Sequence, residues 1–219
     1  VSLAKREVKG GAHAIDVCTA YVGRDEVADM TEAISRLRGS VAAPIVIDST
    51  ENPVVEAALK LVGGKAIINS INLEDGEHKI DTLCPLAKQH NAALIALTID
   101  EEGMAKSPER KLEIATRLHQ LACGKYGVPE HDLLFDPLTF TICTGNEDDR
   151  KLAMWTLEGI ERIAERFPRC GILLGLSNVS FGVNPHARHV LNSVFLYHAR
   201  QRGLTAAILH ASKIMPLHK

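Results

Sequence analysis

The chain has 219 residues, 46% hydrophobic but only 4% aromatic, with a formal net charge of −2. That length suits one large α/β domain or two small ones, and so small a charge offers no general attraction for nucleic acid or an anionic membrane. There is no run of about 18 apolar residues to cross a bilayer, and the opening VSLAKREVKGGAH lacks the apolar core and cleavage site of a signal peptide.

In chain order, Leu3–Val8 reads as a helix and Ala14–Val17 as the first strand. Further short apolar runs of strand type follow at Ile45–Ile47, Ala66–Ile68, Ala93–Leu97, Leu133–Phe135, Ile172–Leu176 and Ala206–Leu209. Helical patterns lie between them near Val27–Leu37, Pro53–Leu61, His78–His90, Pro108–Lys125, Glu147–Phe167 and Pro185–Arg202. Asn52-Pro53, Ser107-Pro108 and Asn184-Pro185 each place a capping side chain before a first-turn proline. Asn146 precedes the acids Glu147, Asp148 and Asp149, which suit the positive end of a helix. Gly39, Gly63-Gly64, Gly127 and Gly203 follow helical runs as stop signals.

Strict alternation of strand and helix implies parallel strands joined by crossovers. Seven strands about 30 residues apart fit an open doubly wound sheet or an eight-stranded (β/α)8 TIM barrel. A dinucleotide-binding sheet would show G-x-G-x-x-G after its first strand, and the chain has none. Polar residues on nearly every strand end favour the barrel, whose site collects at its C-terminal mouth. With no initiator Met and an end directly after a strand, the chain is expected to be a single barrel domain, 1–219, cut from a longer protein. Its first strand and last helix would lie outside the cuts. Such a piece, with two open sheet edges, is expected to be unstable by itself.

The five cysteines are scattered and never form C-x-x-C, so free thiols of a reducing cytoplasm are expected. No metal is expected. His186 and His189 read as surface residues, and Asp100, Glu101 and Glu102 as a solvated loop before a capped helix.

The candidate site residues are the strand-end groups Asp16, Asp48, Asn69, Asn72, Asp100, Asp136, Ser177, Asn178 and His210. Each alone also reads as a turn former or helix cap; Asp136 precedes Pro137, a common turn pairing. As a set they offer carboxylates and carboxamides to a flat heterocycle with amide and amino edges, since a carboxylate accepts two N–H groups and a carboxamide both donates and accepts. Tyr21, Phe140 and Phe181 fall in strand-end loops, where they either anchor the loop or stack on a planar ligand. No G-x-S-x-G elbow suggests a covalent hydrolase.

The segments PIVIDST, AIINSIN, FDPLTF and GLSNVSFG, in that order and spacing, resemble the pterin-binding barrel family over essentially the whole chain. AIINSINLEDGE, ALTIDEEGMAKSPERK and RHVLNSVFL make the likeness greatest to the folate-binding domains of cobalamin-dependent methionine synthases. The resemblance implies that Asp48, Asn69 and Asp136 hydrogen-bond the pterin edge, with Ser177 beside the ring. It implies that Asn178 lies by the folate nitrogen that carries the methyl group. Arg188 matches an arginine placed near the pterin, and Asp16 a strand-end acid whose role varies. Asn178, Asp136 and Asp48 would be the catalytic set. The implied substrate is 5-methyltetrahydrofolate, and the implied acceptor is a corrinoid, cobalamin, on another domain or chain; no D-x-H-x-x-G corrinoid motif occurs here.

The alternatives are a stand-alone methyltetrahydrofolate:corrinoid methyltransferase, dihydropteroate synthase, and a non-catalytic pterin-binding module. The synthase family uses a Lys after its seventh strand and an Arg after its eighth. Here those segments read SNVSFG and HASK, and Lys213 is a poor substitute.

Overall fold

The computed structural model describes residues 1–216. Seven parallel strands form one curved sheet that nearly closes into a barrel, with seven α-helices around it. The strands are β1 (Ile15–Cys18), β2 (Ile45–Asp48), β3 (Ile67–Ile71), β4 (Ala93–Leu97), β7 (Leu133–Asp136), β8 (Gly171–Gly175) and β9 (Ala206–Ile208), adjacent in that order. Two further strands, β5 (Ile99–Asp100) and β6 (Gly103–Met104), make a small antiparallel hairpin above β4. Among the described residues, β1 and β9 are the two sheet edges.

Seven of the expected strands are present, each within three residues of its expected bounds. The hairpin was not expected, because two-residue strands leave no periodicity to read. The helices are α1 (Ser2–Lys9), α2 (Glu26–Leu37), α3 (Asn52–Leu59), α4 (His78–Gln89), α5 (Pro108–His119), α6 (Leu152–Arg166) and α7 (Pro185–Gln201). Ser107 caps α5 by accepting the Arg110 N–H at 3.3 Å, and Asn184 caps α7 by accepting that of His186 at 3.0 Å. Asn52 departs from expectation: it lies inside the first turn of α3, and its Oδ1 is buried without a partner. The turn there is made by Ser49, whose Oγ accepts the Glu51 N–H at 3.1 Å. The last helical stretch of α5 widens into a π-type turn, Gln120–Lys125, which Gly127 ends at φ 66°. The α6 pattern begins as a 3-10 turn, Asp148–Lys151, so its α-helix starts later than the acidic run suggested.

Packing divides the strand side chains into two sets. Outward residues such as Ile47, Ile68, Leu94, Leu133 and Phe135 are fully buried against the helices and belong to one continuous core. At about 1.5–3 kcal/mol for each buried aliphatic or aromatic side chain, this outer layer dominates the stability. The inward set is small: Val46, Ile95 and Leu173, with Ala14, Ile67, Leu97, Leu134 and Ala206 around them. These plug the lower barrel. The residues above the plug, at the C-terminal strand ends, are thereby free to be polar.

Candidate functional site

In a strand, residues two apart share a face. Val46 faces the inner plug, so Asp48 also faces inward, one layer higher. The register sets Cys18, Asp48 and Asn69 side by side on β1, β2 and β3. Asp16 lies one layer deeper, level with Val46. Asn69 Nδ2 stands 3.5 Å from Asp16 Oδ2, at the outer limit of a hydrogen bond. Burial raises the Asp16 pKa to about 6; the neighbouring Asp48 charge adds to the rise, and Asn69 opposes it. Asp16 still keeps solvent access on the edge strand, where water screens its charge. Asp48 is half-buried and also raised, first by burial and then by Glu26, while the Cys18 thiol and Lys79 pull it down. Glu26 is itself held by Ser49, whose Oγ donates to Glu26 Oε1 at 2.6 Å.

On the opposite wall, Asp136 ends β7, in register with Leu97 and 8% exposed. Its Oδ1 accepts the Leu138 N–H at 2.8 Å. Burial lifts its pKa to about 6; the Leu138 N–H, the Lys111 charge and the Gly175 N–H each hold it lower than burial alone would. The turn-forming and site-forming readings of Asp136 are therefore compatible, since one carboxylate oxygen makes the turn.

The segment GLSNVSFG leaves β8 as a 3-10 turn, Leu176–Ser180. Asn178 is exposed, and among the described residues no protein hydrogen bond engages its carboxamide. A Cβ on Gly175 would stand 3.1 Å from Asn178 Nδ2, so the glycine is what lets that amide lie over the strand end. Gly175 in turn faces Asp136, which puts the free amide beside the buried acid. The Ser177 carbonyl accepts from Ser180 Oγ at 3.1 Å and from Arg188 Nη2 at 3.4 Å. Arg188 Nε donates to Ser180 Oγ at 3.0 Å, so this arginine braces the turn that carries Asn178. Arg188, His189, His210 and Lys213 line a cavity of about 200 Å³ next to that turn, a basic recess beside the mouth.

Other strand-end candidates have different work. Asp100, 1% exposed, is paired with Arg110 and Arg117 and accepts the Glu102 N–H. Asn72 accepts the Glu74 N–H at 3.1 Å, and His210 Nδ1 lies 3.1 Å from Ser212 Oγ. Phe140 receives the Lys111 ammonium over its ring at 5.1 Å and so anchors its loop. Tyr21 and Phe181 are 74% and 69% exposed and remain available to a planar ligand. The five cysteines are free. Among the described residues no group of three or more His, Cys, Asp or Glu is placed to hold a metal ion, and no helix is long and apolar enough to cross a membrane.

Sequence reasoning missed Cys18, Lys79 and Lys111. Lys79, in the first turn of α4, is half-buried, which lowers its pKa, and it is the cation near Asp48, Glu51, Glu74 and Asp75. The in-register position of Cys18 beside Asp48 could have been found only by aligning the strands.

A family model described as pterin binding enzyme matches residues 1–210. The chain belongs to the pterin binding enzyme family. Over its whole length it is 48% identical to methionine synthase of Mycobacterium tuberculosis (strain ATCC 25618 / H37Rv) and 46% identical to that of Mycobacterium leprae (strain TN). The matches cover 19% and 18% of those proteins, so the chain spans about a fifth of their length. Among solved structures, dihydropteroate synthase from Stenotrophomonas maltophilia with active site-bound imidazole gives a TM-score of 0.70 at 21% identity, covering 97% of this chain and 82% of that one. Dihydropteroate synthase from Xanthomonas albilineans in complex with 7,8-dihydropteroate gives 0.68 at 19%, covering 95% and 77%. At such identities these neighbours establish the barrel fold alone. The resemblance read from the strand-end segments holds for the pterin-binding family and for the methionine synthase relatives.

Proposed function

We propose that this chain binds 5-methyltetrahydrofolate at the C-terminal mouth of the barrel and gives up its methyl group to a corrinoid carried by another domain or chain. The supporting observation is the meeting of Asp48, Asn69 and Asp136 with the unengaged Asn178 carboxamide at one mouth. The full-length similarity to methionine synthases favours the methyltransferase reading.

The donor and acceptor set suits a pterin. Asp48 and Asp136 accept the N–H groups of an aminopyrimidinone edge, and Asn69 both donates to its carbonyl and accepts. Near pH 7 an acid with a pKa of about 6 is mostly ionised, so Asp136 meets the ring as an acceptor. Transfer breaks the bond from methyl carbon to nitrogen and leaves its electron pair on the nitrogen, which takes up a proton. The corrinoid, when present, supplies reduced cobalt as the nucleophile. Asn178 reorients its amide to bond the nitrogen in either protonation state and steadies the developing charge. One such preorganised group contributes about 3–4 kcal/mol. The proton reaches the nitrogen through water or through the carboxylates Asp48 and Asp136.

Dihydropteroate synthase chemistry is the second reading. The basic recess of Arg188, His189, His210 and Lys213 favours it, because a pyrophosphate leaving group needs cations. Calorimetric titration with methyltetrahydrofolate and with a pterin pyrophosphate separates the two. Binding of the folate with no binding of the pyrophosphate is expected, and the reverse pattern would overturn the first reading. Saturable folate binding without methyl transfer to reduced cobalamin would support a binding module only.

A further inference from the structure

We propose that Lys111 is a positioning residue: from α5 its buried ammonium clamps the loop after β7, so that Asp136 is held in place at the mouth. The proposal deepens the reading above, in which Asp136 meets the pterin edge.

Lys111 is fully buried. Its Nζ donates to the Ala105 carbonyl at 2.8 Å, to the Pro137 carbonyl, and toward the Leu138 carbonyl at 3.5 Å, while the Phe140 ring lies 5.1 Å away. An ammonium has three hydrogens and no acceptor, so this lysine is fully engaged. Burying it costs several kcal/mol, and a Met would fill the same volume without that cost. No carboxylate bonds it directly. What it grips is backbone, and two of the three carbonyls belong to the turn that begins at Asp136.

Leu138 shows the purpose of the grip. Its φ of 63° is left-handed, an uncommon region for a residue with a side chain. There its N–H reaches Asp136 Oδ1. Its carbonyl is held from a second side by Thr156 Oγ1 at 3.0 Å. Helix α6 also leaves room for the lysine stem, since a Cβ on Gly159 would stand 2.6 Å from Lys111 Cδ. Helices α5 and α6 thus meet on one loop. Burial draws the Lys111 pKa down to about 7 against the opposing pull of the Asp136 charge; Lys111 lowers that of Asp136 in return. Among the described residues, these two are the only charged side chains acting on one another there.

The test is Lys111→Met, read by carbon-13 NMR titration of the Asp136 carboxyl in the unliganded chain and by calorimetry with methyltetrahydrofolate. The expected result is an Asp136 midpoint raised by about 1, with at least a tenfold loss of affinity at pH 7. A merely structural lysine would leave that midpoint in place. A folded Lys111→Met chain with an unmoved midpoint overturns the proposal. Should this variant not fold, Thr156→Val stands in for it. Faster hydrogen exchange at the Leu138 amide and weaker folate binding then support the clamp, and unchanged values overturn it. The ligand-free titration judges the clamp by itself, so a wild type that binds no folate defeats only the functional reading.

Discussion

Replacing Asp136 with Asn is expected to stabilise the unliganded chain at neutral pH while damaging the site. In the folded chain the Asp136 pKa rises from 3.8 to about 6, chiefly through burial. Below about pH 3.8 both folded and unfolded chains hold the proton, and the group costs nothing. As pH rises through 3.8 to 6 the unfolded chain ionises first, so folded stability is lost; above about 6 the loss is complete. At about 1.36 kcal/mol per pKa, the full loss is about 3 kcal/mol. Asn recovers most of it. Its Oδ1 still accepts the Leu138 N–H, but its Nδ2 confronts the Gly175 N–H, which costs about 1 kcal/mol. The variant should be more stable than wild type by about 2 kcal/mol at pH 7.5 and less stable by about 0.5 kcal/mol near pH 4. Urea unfolding at the two pH values measures both differences. Parallel stability curves, or a wild type more stable than the variant at pH 7.5, would refute the reasoning.

Three other outcomes are expected. Asp48→Asn should weaken methyltetrahydrofolate binding by about 10- to 100-fold, the worth of a hydrogen bond to a charged acceptor, and equal affinities in calorimetry would show that Asp48 does not touch the ring. Asn178→Ala should leave folate affinity within a few-fold but slow methyl transfer by about 100- to 1,000-fold, so a variant that transfers at the wild-type rate would remove Asn178 from the chemistry. Folate affinity should fall as pH drops through about 6, where Asp136 gains its proton and ceases to accept; affinity that rises toward acid would contradict this protonation state.

Much of this was legible in the sequence. The central strands were readable because they are short apolar runs buried against the helices, and the polar residues at or just beyond the strand ends marked the mouth. Asp48, Asn69 and Asp136 stand where strand ends must stand in a parallel barrel. Asp100 shows the limit of that inference: it also follows a strand, yet Arg110 and Arg117, brought across from α5, turn it into a structural ion pair. Arg188 shows another limit, since its bonds to Ser180 and Ser177 depend on how the GLSNVSFG turn folds back on α7. Lys111 was invisible for a similar reason. In sequence it sits in a charged helical run, SPERKLE, and only the packing of α5 against α6 and the loop after β7 shows that this one cation points inward.

The most direct test of the proposed chemistry is a single turnover. The chain is saturated with methyltetrahydrofolate labelled in its methyl group and mixed with reduced cobalamin. Label arriving on the cobalamin with wild type, and far more slowly with Asn178→Ala, is the expected result. A wild-type chain that binds the folate to saturation yet passes no label would contradict the assignment of methyl transfer to this barrel.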